Sequence, residues 1–198
     1  MTTSVNNKLM VFVDFNEDTK RVMQLANDVE LMSMNALLAN KNSSAESGFS
    51  AVADQLRDFS LEVIERAKTL TAEFSNIILY LASERNLIRR DRILYETKRT
   101  SATASKAIDG AAAAVKIKLR DAGSKFEATM NRAAWLIEYI DRQCLIGGGL
   151  SRVGKIEATY GGSLEPMLFQ IAKDVGLIIL QIFNITSELK DKVKVYLT

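Results

Sequence analysis

At 198 residues, 47% of them hydrophobic and a single one proline, the chain is long enough for one well-cored domain and poor in the reversal signals that a many-stranded sheet needs. Its 26 basic and 24 acidic residues nearly cancel, which excludes the large single-sign field of a dedicated nucleic-acid or membrane-surface binder. The lone Cys144 excludes an intrachain disulfide, and the lack of any histidine excludes Ser-His, Cys-His and histidine–metal arrangements.

The first predicted helix runs from Asn16 to about Asn40. Asn16 can accept from free backbone N–H groups, and Glu17 and Asp18 face the positive end of the helix dipole. Val22, Leu25, Val29, Met32, Ala36 and Ala39 step by threes and fours and so share one face. Residues 1–15 stand apart as an N-terminal segment. Their apolar run Leu9 to Val13 lacks the form of a signal peptide and is too short to cross a bilayer. Asn40 to Gly48, with Asn42, Ser43 and Ser44, reads as a turn.

A second stripe follows at Phe49, Val52, Leu56, Phe59, Val63, Ala67, Leu70, Phe74, Ile77, Leu81 and Ile88, predicting a long helix to about Thr97. A seven-residue repeat of this length implies partners lying nearly alongside. After Thr100-Ser101, a third stripe runs from Ala104 through Ile108, Ala111, Val115, Leu119, Ala122, Phe126, Met130, Ala133, Ile137 and Ile140 to Cys144. Its first half predicts a thin alanine seam, and its second half, with Phe126 and Trp135, a wider core.

Gly147-Gly148-Gly149 is predicted to end the third helix, with a glycine-containing loop to Gly161-Gly162. Ser163 is then the expected cap of a fourth helix, with Pro166 in its first turn and a stripe from Leu164 through Leu168, Val175, Ile182 and Leu189 to Tyr196. Gly176 to Phe183, the longest apolar stretch, is interrupted by Gln181, so no transmembrane segment is expected and the protein is read as soluble and cytoplasmic. Four stripes on short connections predict an all-α fold, an antiparallel four-helix bundle of coiled-coil hairpins with long central helices. Within one domain, 1–198, residues 16–100 form a first hairpin and 101–198 a second.

Leu25-Ala26 through Asn35-Ala36, followed by Ser47-Gly48-Phe49-Ser50-Ala51-Val52-Ala53-Asp54-Gln55-Leu56-Arg57-Asp58-Phe59, resembles the hairpin tip of methyl-accepting chemotaxis proteins, the bacterial chemoreceptors. The similarity covers about a fifth of the chain and rests on the order of Asn35-Ala36, Gly48-Phe49, Val52-Ala53 and Arg57. It implies a signalling scaffold whose tip meets a protein partner: a chemotaxis kinase, a coupling protein or receptors. Asn35 would sit among the tip's polar contacts, Phe49 would pack just beyond the reversal, and Arg57 would face outward. The tip is one residue shorter than the family's; its glutamate position holds Ala39 and its arginine position Asn42, and no methylation-type Glu or Gln pairs flank the second helix. A partner of its own, or modulation of receptor arrays, is the corresponding expectation. The third and fourth helices would replace a second protomer's hairpin, although a homo-oligomer stays open.

No enzymatic chemistry, cofactor or metal is expected. Cys144 reads as core, Glu62 and Glu65 as a solvated face, and the Gly147 run lacks the Gly-Lys-Ser order of a phosphate loop. Arg85, Arg89, Arg90 and Arg92 form a basic patch at the end of the second helix. Interleaved Glu84, Asp91 and Glu96 predict helical acid–base pairs there. The alternative function is a structural or regulatory bundle that binds nucleic acid or anionic lipid through that patch.

Overall fold

The computed structural model describes residues 2–41, 48–100 and 105–197, and among them every long element is helical. Helix α1 spans Thr2–Lys41, α2 Phe49–Thr100, α3 Ser105–Ala158 and α4 Glu165–Lys194, with a 3₁₀ turn at Gly162–Leu164 before α4. The expected all-α bundle is therefore the observed fold. The breaks expected around Asn42 to Ser44 and at Ser101 lie outside the described residues.

Two compact units are formed. The first comprises Met1–Asn16 with Ala72–Ala133, and the second Glu17–Thr71 with Ala134–Tyr196.

The first unit is built on aromatics. The ring centroids of Phe12 and Phe15 are 5.3 Å apart, Phe12 meets Phe126 edge-on at 6.1 Å, and Phe15 lies 5.5 Å from Phe74. Each fully buried aromatic of this kind contributes roughly 1.5–3 kcal/mol through lost apolar surface, and the T-shaped pairs add to that. Arg132 pairs with the buried Glu73 at 3.2 Å, and Lys98 with Asp109, so α2 and α3 run antiparallel here.

The second unit is an antiparallel four-helix bundle, its register fixed by named contacts. Asn40 donates to the Ser50 hydroxyl at 2.6 Å, and Tyr139 donates to the Glu62 carboxylate. Ser151 donates to the Ala172 carbonyl at 2.8 Å, Thr186 to Asp141, and Lys190 lies 3.5 Å from Glu138. At the end carrying the α1–α2 bend, Ala36, Phe49, Ala53, Ala158, Leu168 and Ala172 close the core. At the other end Lys192 reaches Asp18 at 3.8 Å.

Four expectations are corrected. Helix α1 begins at Thr2 rather than Asn16, because Phe12 and Phe15 continue backward the buried series of Thr19, Val22, Ala26, Val29, Ser33, Ala36 and Asn40. Asn16 caps nothing; its buried side-chain oxygen accepts no hydrogen bond among the described residues.

The triple glycine does not end α3, which continues to Ala158. A Cβ at Gly147 would stand 3.0 Å from both Phe59 and Ile179, and one at Gly154 3.3 Å from the Ala172 methyl. These glycines admit neighbouring helices instead of breaking their own. The reversal comes at Thr159 to Gly162, where Gly162 takes φ +58°, the left-handed region that glycine enters without cost.

Ser163 does not cap α4: it lies inside the 3₁₀ turn, Leu164 is the N-cap without a side-chain bond, and Pro166 falls in the first turn as expected. In the first half of α3 Ile108, Val115 and Ala122 are buried as expected but Ala111 is exposed, and the closest approaches to neighbouring helices fall in the second half, at Gly147 and Gly154. Trp135 is also half exposed, stacked on Tyr139 at 5.6 Å, and fills no core.

Candidate functional site

The hairpin bend sits where α1 ends and α2 begins, in the second unit. Phe49 is fully buried in the closing cluster, so it shapes the bend from within and presents no surface to a partner. The carbonyl of Gly48 receives the Ala51 and Val52 N–H groups at 3.1 and 3.4 Å, starting α2, and a side chain on Gly48 would run into the Glu157 carboxylate of α3.

Asn35 and Arg57 are both exposed. The Asn40–Ser50 hydrogen bond sets the register of the two arms; Asn35 lies five residues before that bond and Arg57 seven beyond it. At ~1.5 Å rise per residue the two therefore stand at the same level of the hairpin to within a turn. Asn35 is flanked on its own helix by Leu31 and Leu38, 55% and 61% exposed, at helical spacings of four and three. This outward stripe of two leucines around an amide was missed in the sequence reading, which took only the inward positions of α1; the i, i+4, i+7 spacing was visible there.

The basic patch belongs to the first unit. Arg85, Arg89 and Arg92 repeat at i, i+4 and i+7 and form one exposed stripe. Arg90 is separate: it lines a cleft of about 510 Å³ with Lys118, Asp121 and Lys125 of α3 and Tyr80 and Asn86 of α2. Lys125 bonds Asp121 at 2.8 Å, and that bond and charge hold its ammonium above the ordinary lysine range.

Pairing differs from expectation. Arg99 meets Glu96 at 3.5 Å, but among the described residues Arg85, Arg89, Arg90 and Arg92 join no ion pair, and Glu84 and Asp91 join none either. The first unit carries 13 basic and 8 acidic residues, a net +5, and the second 13 and 16, a net −3. The near-neutral total conceals this asymmetry. Lys118 and Lys125 were not singled out from the sequence, since nothing local links α3 to the α2 arginines.

Among the described residues no three His, Cys, Asp or Glu side chains gather as metal ligands would. Cys144 is buried, and burial, with the Asp141 charge, pushes its thiol up to about 12. By length and composition, Gly162–Lys194 is apolar enough to cross a membrane, a property shared by core helices of soluble proteins. Here 28% of its most apolar window is buried: Leu168, Ala172, Val175, Ile179 and Ile182 lie in the bundle core, while Phe169, Leu177 and Leu180 are exposed. No protein-family model matches the sequence, and neither does any curated protein.

Proposed function

We propose that this protein is a non-enzymatic, cytoplasmic signalling or scaffold protein of chemoreceptor-like type, acting through helix-to-helix contact beside the α1–α2 bend. The observation that carries the reading is the Leu31–Asn35–Leu38 stripe: exposed leucines flank the amide to which the resemblance gives the tip's polar contacts. Apolar side chains around one fixed polar group suit a partner helix, where the leucines supply area and the amide supplies register. Phe49 and the alanines around it pack the end of α1 against the start of α2, which fixes the helix carrying the stripe within the bundle. The lack of histidine supports a non-catalytic role.

The partner is sought among chemotaxis kinases, coupling proteins and receptor tips. Binding of the purified protein to each is measured with Asn35→Arg, Leu38→Glu and Arg57→Glu variants. Loss of binding in all three, with unchanged helicity, is expected. Binding that survives all three, or no binding to any of these partners, removes the reading.

A second reading is favoured by the four unpaired arginines and the +5 charge of their unit. A polyanion, nucleic acid or anionic lipid, would be held by charge and released by salt. Salt-sensitive binding to duplex DNA or to anionic vesicles, abolished by Arg89→Glu with Arg90→Glu, is its expected signature.

A further inference from the structure

Where α3 and α4 lie side by side in the second unit, they leave a cleft of about 500 Å³ open to solvent. Gly154 lies against Ala172 and Gly147 against Ile179, which fixes the register of its two walls. Leu145, Leu180 and Phe183 therefore stand at one end, Arg152, Lys155 and Lys173 at the other, and Leu177 between them. The apolar part is not covered: Leu145 is 69%, Leu177 52% and Leu180 53% exposed. The cleft is thus polarised along its length, from hydrocarbon to positive charge.

The cationic end has no counter-charge of its own. No carboxylate lines the cleft. Among the described residues Arg152, Lys155 and Lys173 join no ion pair, although their unit is the one with an excess of acids. Three like charges around one opening repel one another, and an anion placed among them relieves that repulsion. At ~1.5 Å rise per residue, the ten steps from Leu145 to Lys155 make the cleft about 15 Å long, the reach of an extended chain of about twelve carbons. Its volume is that of a small-molecule site, and its mix of apolar walls with a few convergent polar groups is that of one too.

We propose that this cleft binds a single-chain anionic lipid, its head group held by Arg152, Lys155 and Lys173 and its alkyl chain laid over Leu177 toward Leu145, Leu180 and Phe183. The exposed leucines lose contact with water to the chain, and the cations give the head charge-assisted hydrogen bonds. Three cations suit a phosphate monoester, which carries about −1.5 to −2 charge at neutral pH. A bilayer presents a flat surface and this cleft is concave, so the occupant is one free molecule. The site shares no residue with the Leu31–Asn35–Leu38 stripe or with the arginine patch of the first unit, and it stands apart from both.

Calorimetric titration of the full chain with dodecyl phosphate, kept below its micelle concentration, tests it. One molecule is expected per chain, while inorganic phosphate and dodecyl maltoside, which carry the charge and the chain separately, bind at least ~tenfold more weakly. Nothing stands within 4 Å of where a Cβ on Gly148 would be, so Gly148→Leu fills the cleft without displacing the protein and abolishes binding. Lys155→Glu with Lys173→Glu abolishes it from the charged end. A series of alkyl phosphates on the unaltered protein keeps the test open if those variants fold poorly. Affinity rises roughly fourfold per two methylenes, half the full transfer value because the cleft is open on one side, and levels off near about twelve carbons. No binding, binding of inorganic phosphate as tight as that of the amphiphile, or binding indifferent to both sets of substitutions overturns the proposal. So does binding confined to anionic vesicles, which would make this surface a membrane contact.

Discussion

Ser151 on α3 gives its hydroxyl proton to the carbonyl oxygen of Ala172 on α4, 2.8 Å away, and the hydroxyl lies where a side chain on Gly176 would begin. The hydrogen bond and the glycine are thus one device that sets the α3–α4 spacing. Gly176→Ala destabilises the fold by about 1 kcal/mol, because displacing the hydroxyl outweighs the helix propensity gained. In a Ser151→Ala background the same change costs little or stabilises. A double-mutant cycle by urea denaturation reads the coupling.

Glycines along α3 separate into two groups. Gly110 and Gly123 have open space where a Cβ would stand, and replacing either by alanine stabilises by roughly 0.5–1 kcal/mol. Gly147→Ala presses on Phe59 and Ile179 and destabilises by about 1–3 kcal/mol. Thermal melts of the three single variants check the difference in sign.

Phe12 lies outside the helix expected from the sequence, yet it is fully buried among Phe15, Phe74 and Phe126. Phe12→Ala therefore costs about 3–5 kcal/mol. Were residues 1–15 an undocked segment, the substitution would leave the unfolding midpoint unchanged.

The Cys144 thiol keeps its proton in the folded state up to about 12, against an ordinary value of 9.0, chiefly through burial and then through Asp141. Between those values the folded chain binds more protons than the unfolded one, so stability falls as pH rises through that window. At pH 10 the loss is on the order of 1 kcal/mol, and Cys144→Val flattens that part of the profile. Thiol reagents at pH 8 should leave the native protein unmodified and react once it is unfolded.

The helical class, the run of α2 and most of the inward stripes were legible because a 3–4 alternation is a local property. The start of α1 was misread for a definable reason. Asn16-Glu17-Asp18 matches a cap, but a cap requires the preceding chain to leave the helix, and Phe15 and Phe12 sit one and two steps before Thr19 on the same stripe. Gly147 shows the opposite difficulty. A glycine that stops a helix and one that admits a neighbour look alike until Phe59 and Ile179, far off in sequence, are placed against it. At the sites, Asn35 and Arg57 were locatable from the sequence, but Phe49's enclosure depends on Ala158, Leu168 and Ala172. The unpaired arginines were hidden because helical spacing permits ion pairs without enforcing them.

The aromatic cluster of the first unit also dictates an order of events during synthesis. Phe126 leaves the ribosome 114 positions after Phe12, an interval of roughly 6–23 seconds at ordinary elongation rates. Throughout it Phe12 and Phe15 are two phenyl rings whose final partners are incomplete. Phe12 and Phe15 are thus made well before the cluster that buries them can close, and until then the two rings are exposed apolar surface on which the chain can misassemble.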